Sequence, residues 1–184
     1  MTQPTSPFKA LLNTEASASV LRLSTAQMLD APENSAIRDI WLLPPDNPRL
    51  HAGRRVAVVA TDGIEEIELN TVLYYFRSRG AQVDLIAPKN PSYPYFYGLQ
   101  VPAVRETHIL TITFIAIGGW IRFDRRLEEA SAKDYDVVIV PGGVWNPDTL
   151  RGDAKAIGFV QEAAAGGKIV AAICHGPWVL SDAG

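Results

Sequence analysis

From Arg54 onward, short runs of β-branched and aliphatic residues alternate with stretches of helical period, the pattern of βα units wound about a parallel sheet. Val56-Ala57-Val58-Val59 is continuously apolar, as a strand buried on both faces is. After Asp62-Gly63, residues Leu69, Val72, Leu73 and Phe76 fall at i, i+3, i+4 and i+7, which predicts a helix ended by Gly80. Val83 to Ala87 and Asp136 to Val140 predict two more strands, the second ending at Pro141-Gly142-Gly143. A helix over Ala154 to Ala165 places Ile157, Val160 and Ala164 on one face and stops at Gly166-Gly167. Lys168 to Ile173 predicts the last strand; it runs into Cys174-His175-Gly176-Pro177, where a further helix begins. The expected fold class is α/β, a parallel sheet sandwiched by helices.

Elsewhere the periodicity is poorer. Pro91 to Gly98 is a Pro/Tyr-rich loop, and Ile109 to Phe123 reads as one or two strands interrupted at Gly118-Gly119. Met1 to Gly53 is rich in Ser, Thr, Pro, Asn and Ala, with a short helix expected over Glu15 to Leu29 and a turn-prone stretch from Pro44 to Pro48. This part reads as an N-terminal extension or arm, residues 1–53, whose Val20-Leu21 and Trp41-Leu42-Leu43 offer packing surfaces. Residues 54–184 form the expected α/β domain. There is no internal repeat.

Composition narrows the classes of function. The 184 residues suit one domain, and 17 basic against 20 acidic side chains leave a net charge of −3. With no basic footprint, neither nucleic acid nor an anionic membrane is an expected partner. The longest apolar run, Ile109 to Ile117, is interrupted by Thr111 and Thr113 and falls short of the roughly 18–20 residues that span a bilayer. The first residues lack a basic stretch followed by an apolar core, so a cytoplasmic protein is expected. A single cysteine, Cys174, excludes an intramolecular disulfide and a cysteine-only metal site.

Candidate chemistry gathers beyond the carboxyl ends of the strands, where ligands of open parallel sheets bind. Cys174 stands at a strand tip with a helix starting behind it, a position that projects the side chain and favours thiolate through helix N–H groups. The alternative for a lone cysteine is a small buried hydrophobe. Gly142-Gly143 is either a plain turn or a loop whose backbone N–H approaches the thiol; with the N–H of His175 it would bind a developing oxyanion. Glu65, Glu66 and Glu68 open the first helix of the domain, where the dipole alone accounts for acidic residues; Glu65 and Glu68, at i and i+3, share a face. Of the other histidines, His51 reads as solvated linker and His108 as a weaker candidate for the pocket wall. Tyr93, Tyr95 and Tyr97 read as a packing surface.

Taken together, DGIEEIEL, VPGGVWNPDTLR and GKIVAAICHGPWVL resemble the DJ-1/PfpI superfamily, in particular its PfpI-type intracellular protease/deglycase branch, over residues 54–184. The resemblance implies a flavodoxin-like sheet with a strand-to-helix elbow at Cys174, the nucleophile. It makes His175 the base, Asp148 the acidic residue completing the triad from the neighbouring subunit of a homodimer or higher oligomer, and Gly143 and His175 the oxyanion hole. Glu68 would be the carboxyl that hydrogen-bonds the cysteine, and Glu65 a second glutamate of the same site. No metal or organic cofactor is implied. Residues 89–123 look like an insertion, and the C-terminal part of the fold is expected to be supplied by a longer chain or a second chain. The implied activity is that of a hydrolase, deglycase or glyoxalase acting on small carbonyl compounds or glycated adducts, with peptides the weaker version. The alternatives are a redox-sensing or chaperone-like stress protein that uses oxidation of Cys174, and an isocyanide-hydratase-like lyase.

Overall fold

The computed structural model describes residues 29–89, 95–96, 99–100, 103–114 and 116–184. The chain forms two compact units, Met1–Asp39 and Ile40–Gly184. In the first, a 3₁₀ turn over Pro32–Asn34 leads into helix α1 (Ser35–Leu42), whose last residues belong to the second unit. This helix lies where the sequence suggested only an arm; the helix expected over 15–29 and the residues Tyr93 and Tyr97 fall outside the described residues, apart from Leu29. Within the second unit Trp41 donates from Nε1 to Thr71 Oγ1 at 2.9 Å, while Leu42 and Leu43 are exposed.

The second unit is built on a parallel sheet, as the uninterrupted apolar runs require. Its strands are β1 (Arg55–Val59), β3 (Gln82–Ala87), β8 (Arg125–Arg126), β9 (Val137–Val140) and β10 (Ile169–Ala172), in the order β10-β9-β1-β3-β8. β1 is central, pairing Val56 with Val83 on one side and Ala57 with Val138 on the other. Alternate residues of β1 serve opposite faces. Ala57 and Val59 pack with Val138, Val140, Leu150, Phe159 and Val160, while Val56 and Val58 pack with Leu69, Val72, Leu73 and Ile139. Helix α2 (Glu66–Ser78) covers the second face; α3 (Trp145–Arg151), α4 (Ala154–Ala165) and α5 (Pro177–Ala183) lie on the first.

The helix ends follow from local chemistry. Gly80, at φ +86°, terminates α2 in the left-handed conformation that glycine adopts without a Cβ penalty. The Asp153 carboxylate caps α4, accepting from the N–H groups of Lys155 at 2.8 Å and Ala156 at 3.2 Å. In α4 the buried face is Ala156, Phe159, Val160 and Ala163. Ala164, expected on that face, is exposed because the helix is turned to seat Phe159 against Tyr135.

The segment 108–122 is more ordered than its sequence suggested. Strand β6 (His108–Thr113) pairs antiparallel with β7 (Ala116–Arg122), and β2 (Ile64–Glu65) joins β6 in parallel, Ile64 opposite Thr111. The chain reverses at Phe114, φ +57°, rather than at Gly118-Gly119, which lie inside β7. Gly118 admits the Thr111 side chain, since a Cβ there would stand 2.4 Å from its hydroxyl, which accepts from Gly119 N–H at 2.8 Å. A minimal pair, β4 (Tyr95–Phe96) with β5 (Leu99–Gln100), precedes this hairpin.

In this chain β10 is an edge of the sheet, and Ile169 on it is 65% exposed. Beside it Val137, Ile139, Ile169 and Ala171 line an open cleft. His51, expected to be solvated, instead has a buried Nε2 and packs its ring against Tyr75 and Phe76 at 5.8 and 5.1 Å, because the turn it occupies hydrogen-bonds to the end of α2. No helix among the described residues is long and apolar enough to cross a membrane.

Leu69 is fully buried where α2 meets β1. Leu69→Ala is expected to lower the stability of the chain by about 2–5 kcal/mol, as a lower midpoint in urea unfolding. An unchanged midpoint would show that α2 does not depend on this contact.

Candidate active site

Strands β10, β9 and β1 are consecutive in the sheet, so their carboxyl ends converge. Each contributes one segment: residues 173–177 after β10, 141–146 after β9, and 60–68 after β1. At the first, Cys174 adopts φ +55°, a left-handed conformation that costs a non-glycine residue about 1–3 kcal/mol. Cys174 therefore occupies a strained turn between β10 and α5. Its side chain is exposed, and Sγ lies 3.2 Å from His175 Nδ1. The His175 ring meets Trp178 edge-on, with centroids 4.9 Å apart.

The glycine loop comes close enough to explain its composition. A Cβ on Gly142 would stand 2.6 Å from Cys174 Cβ and 2.9 Å from both Glu68 Oε2 and His175 N, so no side chain fits. Gly143, at φ +74°, has no room for one either: its Cβ would meet the Gly63 carbonyl at 2.2 Å. These contacts wedge residues 142–143 between the cysteine turn and the start of β2. Glu68, in the first turn of α2, accepts the Gly142 N–H at 2.6 Å.

A residue the sequence did not single out holds this loop. Asn146 is completely buried; its Oδ1 accepts the Thr61 N–H at 2.7 Å, and its Nδ2 donates to the carbonyls of Pro141 at 2.8 Å and Gly142 at 3.1 Å. It lies within the VPGGVWNPDTLR motif but has no periodic signal of its own; a polar residue three positions after a strand-terminal Gly-Gly, able to reach back to the loop, is the clue the sequence offers.

The expected site residues are brought together unequally. Cys174, His175, Glu68, Gly142 and Gly143 converge. Glu65 does not share a helical face with Glu68, because it lies in β2 and caps α2 in an extended conformation. Its carboxylate accepts the Phe114 N–H at 3.0 Å, and burial is the main reason its pKa is raised. The next acid, Glu66, is occupied by the hairpin, accepting from Thr111 Oγ1 at 2.7 Å. Asp148 is exposed on α3, and the ring of His175 pairs through Nδ1 with the Cys174 thiol. The register of β6 puts Thr111 and Ile112 beside β2 rather than His108, which pairs with Arg122 and contacts Thr107. Asp62, ion-paired with Arg105, fixes the turn after β1 by accepting the Leu110 N–H at 2.8 Å.

The electrostatics of the thiol differ from the expectation of a favoured thiolate. Burial first, then the charge of Glu68 and a hydrogen bond to it, push the Cys174 pKa up; the N–H groups of His175 and Gly143 pull it down without prevailing. The Glu68 carboxylate thus opposes ionisation of the sulfur and the two amides favour it, while His175 Nδ1 lies 3.2 Å from Sγ. Among the described residues no group of three or more His, Cys, Asp or Glu side chains is arranged to hold a metal.

The model of the DJ-1/PfpI family matches residues 54–184. The chain is 30% identical over 130 residues to Protein/nucleic acid deglycase 2 of Escherichia coli, covering 71% of this chain and 64% of the relative. It is 28% identical over 131 residues to General stress protein 18 of Bacillus subtilis, covering 71% of this chain and 65% of that protein. It thus spans somewhat less than two thirds of the length of these curated relatives. Among solved structures, oxidized Toxoplasma gondii DJ-1 superposes with a TM-score of 0.57 at 24% identity, covering 72% of this chain and 62% of that one, a likeness of fold.

Because the Glu68 charge opposes ionisation of Cys174, Glu68→Gln is expected to lower the thiol pKa. The amide oxygen of glutamine still accepts from Gly142, so the loop stays in place. The pH profile of Cys174 alkylation by iodoacetamide should move to lower pH; an unmoved profile, or one moved upward, would contradict the electrostatic assignment.

Proposed function

The chain belongs to the DJ-1/PfpI family, and from that premise we propose that it is a cysteine-dependent enzyme acting on small carbonyl compounds or glycated adducts. The observation that carries this reading is the convergence on one sulfur of a base, His175 Nδ1 at 3.2 Å, and two backbone donors, the N–H groups of Gly143 and His175. As Cys174 Sγ adds to the carbonyl carbon, a C–S bond forms and the carbonyl π pair moves to oxygen. The thiol proton passes to His175, and the oxyanion rests on the two amides, fixed before the substrate arrives. For an α-ketoaldehyde such as methylglyoxal, the C1 hydrogen of the hemithioacetal then moves as a proton to C2 through an enediol, giving a thioester, and water hydrolyses the thioester to the hydroxy acid and frees the thiol, with no net change of oxidation level. Asp148, exposed on α3, would orient His175 from the neighbouring subunit of a homodimer, completing a triad.

Two features of the site bear on the alternatives. The likeness to deglycase 2 supports carbonyl chemistry, and the likeness to a general stress protein is compatible with either turnover or sensing. Thiolate is the reactive form both for addition to a carbonyl and for peroxide oxidation, so the direction of the Cys174 pKa bears equally on the two.

Turnover of methylglyoxal, followed by loss of the aldehyde, is the test. Cys174→Ala is expected to reduce it to background and His175→Ala to lower kcat by about 10²–10⁴-fold. Equal rates in wild type and Cys174→Ala would overturn the proposal.

A further inference from the structure

We infer that Asn146 is a positioning residue that sets the orientation of the Gly142–Gly143 peptide and so aims the Gly143 N–H at Cys174. The inference deepens the reading above and rests on it only for the consequence in turnover.

The Gly142 carbonyl and the Gly143 N–H belong to one peptide unit, and in a trans peptide the two point in opposite directions. All peptide bonds among the described residues are trans. Asn146 Nδ2 donates to the Gly142 carbonyl at 3.1 Å from one side. The N–H of the same unit is thereby directed to the other side, in a loop so near the cysteine turn that a Cβ on Gly142 would stand 2.6 Å from Cys174 Cβ, and this N–H is among the groups that lower the thiol pKa. An anchor is needed at this unit because it joins two glycines, which reorient at little steric cost. Turned over, the unit would present a carbonyl oxygen to the sulfur and destabilise both thiolate and oxyanion.

Two other contacts make Asn146 the residue that decides the plane. Its Oδ1 is fixed by the Thr61 N–H at 2.7 Å, so the amide cannot rotate without breaking a buried hydrogen bond. Its second Nδ2 contact, to the Pro141 carbonyl at 2.8 Å, fixes the unit before it. On the opposite flank Glu68 takes the Gly142 N–H at 2.6 Å. The Pro141–Gly142 unit is thus held on both sides, by a carboxylate and by a carboxamide, and the Gly142–Gly143 unit that follows is held at its carbonyl by Asn146. Only a side chain with both a donor and an acceptor satisfies Thr61 and the two carbonyls at once. An aspartate at the position keeps the acceptor and loses the donors.

The test uses the single cysteine as its own reporter, since alkylation by iodoacetamide can occur only at Cys174 among thiols. Rates against pH are measured for wild type, Asn146→Ala, Asn146→Asp and Leu150→Ala, with stability followed in parallel. Leu150 is fully buried in the same helix and belongs to the core. Both Asn146 variants are expected to shift the alkylation profile to higher pH, and to lower kcat on methylglyoxal by about 10²–10³-fold with KM changed far less. Leu150→Ala should lose stability and keep the wild-type profile. An unmoved profile in the Asn146 variants, or an equal shift in Leu150→Ala, would overturn the inference. A shifted profile in a protein whose wild type turns over no carbonyl substrate would support the positioning role while removing the proposed function. Should neither Asn146 variant fold, amide NMR of the wild type decides. The Asn146 side-chain protons should exchange slowly and the Gly143 amide resonance should move as Cys174 titrates; fast exchange or a fixed resonance would overturn the inference.

Discussion

The site depends on the approach of the Gly142–Gly143 loop to the Cys174 turn, a contact so close that a single Cβ at Gly142 would overlap the cysteine, the Glu68 carboxylate and the His175 amide together. Everything that gives the cysteine its chemical setting passes through this point. The parallel order β10-β9-β1 brings the three segments side by side. The left-handed turn at Cys174 lifts the sulfur toward the loop, and the glycines let the loop come to meet it. Such proximity is held by buried hydrogen bonds, since an amide or carboxylate removed from water and left unpaired there costs about 1–3 kcal/mol or more.

The same closeness explains a tension in the electrostatics. Glu68 is needed to hold the Gly142 N–H, yet its charge opposes ionisation of the thiol beside it. The amides of Gly143 and His175 act in the opposite sense. The two influences meet on one sulfur, with His175 Nδ1 3.2 Å from it.

Much of this was legible in the sequence wherever a backbone rule applies. The strand runs, the α2 stripe from Leu69 and the limits of α4 follow from periodicity and glycine caps, and Cys174-His175-Gly176 at a strand tip pointed to the sulfur. What was not legible depends on tertiary pairing. Glu65 looked like a helical residue because β2, which is only two residues long, exists through its pairing with β6 some 45 residues later. Gly118-Gly119 suggests a hairpin break, since glycines ordinarily mark turns; here both lie inside β7, and Gly118 makes room for Thr111. His51 passed for solvated linker because its partners, Tyr75 and Phe76, lie on another element. Asn146 stayed unremarked because a buried amide has no sequence period.

The account turns on two backbone amides lying ready for an oxyanion at Cys174. A crystal structure of the protein carrying a small aldehyde on Cys174 as a hemithioacetal measures this directly. The adduct oxygen is predicted within hydrogen-bonding distance of both Gly143 N and His175 N, with Cys174 still in its left-handed conformation. An adduct oxygen turned to solvent, with the Gly143 N–H directed elsewhere, would contradict it.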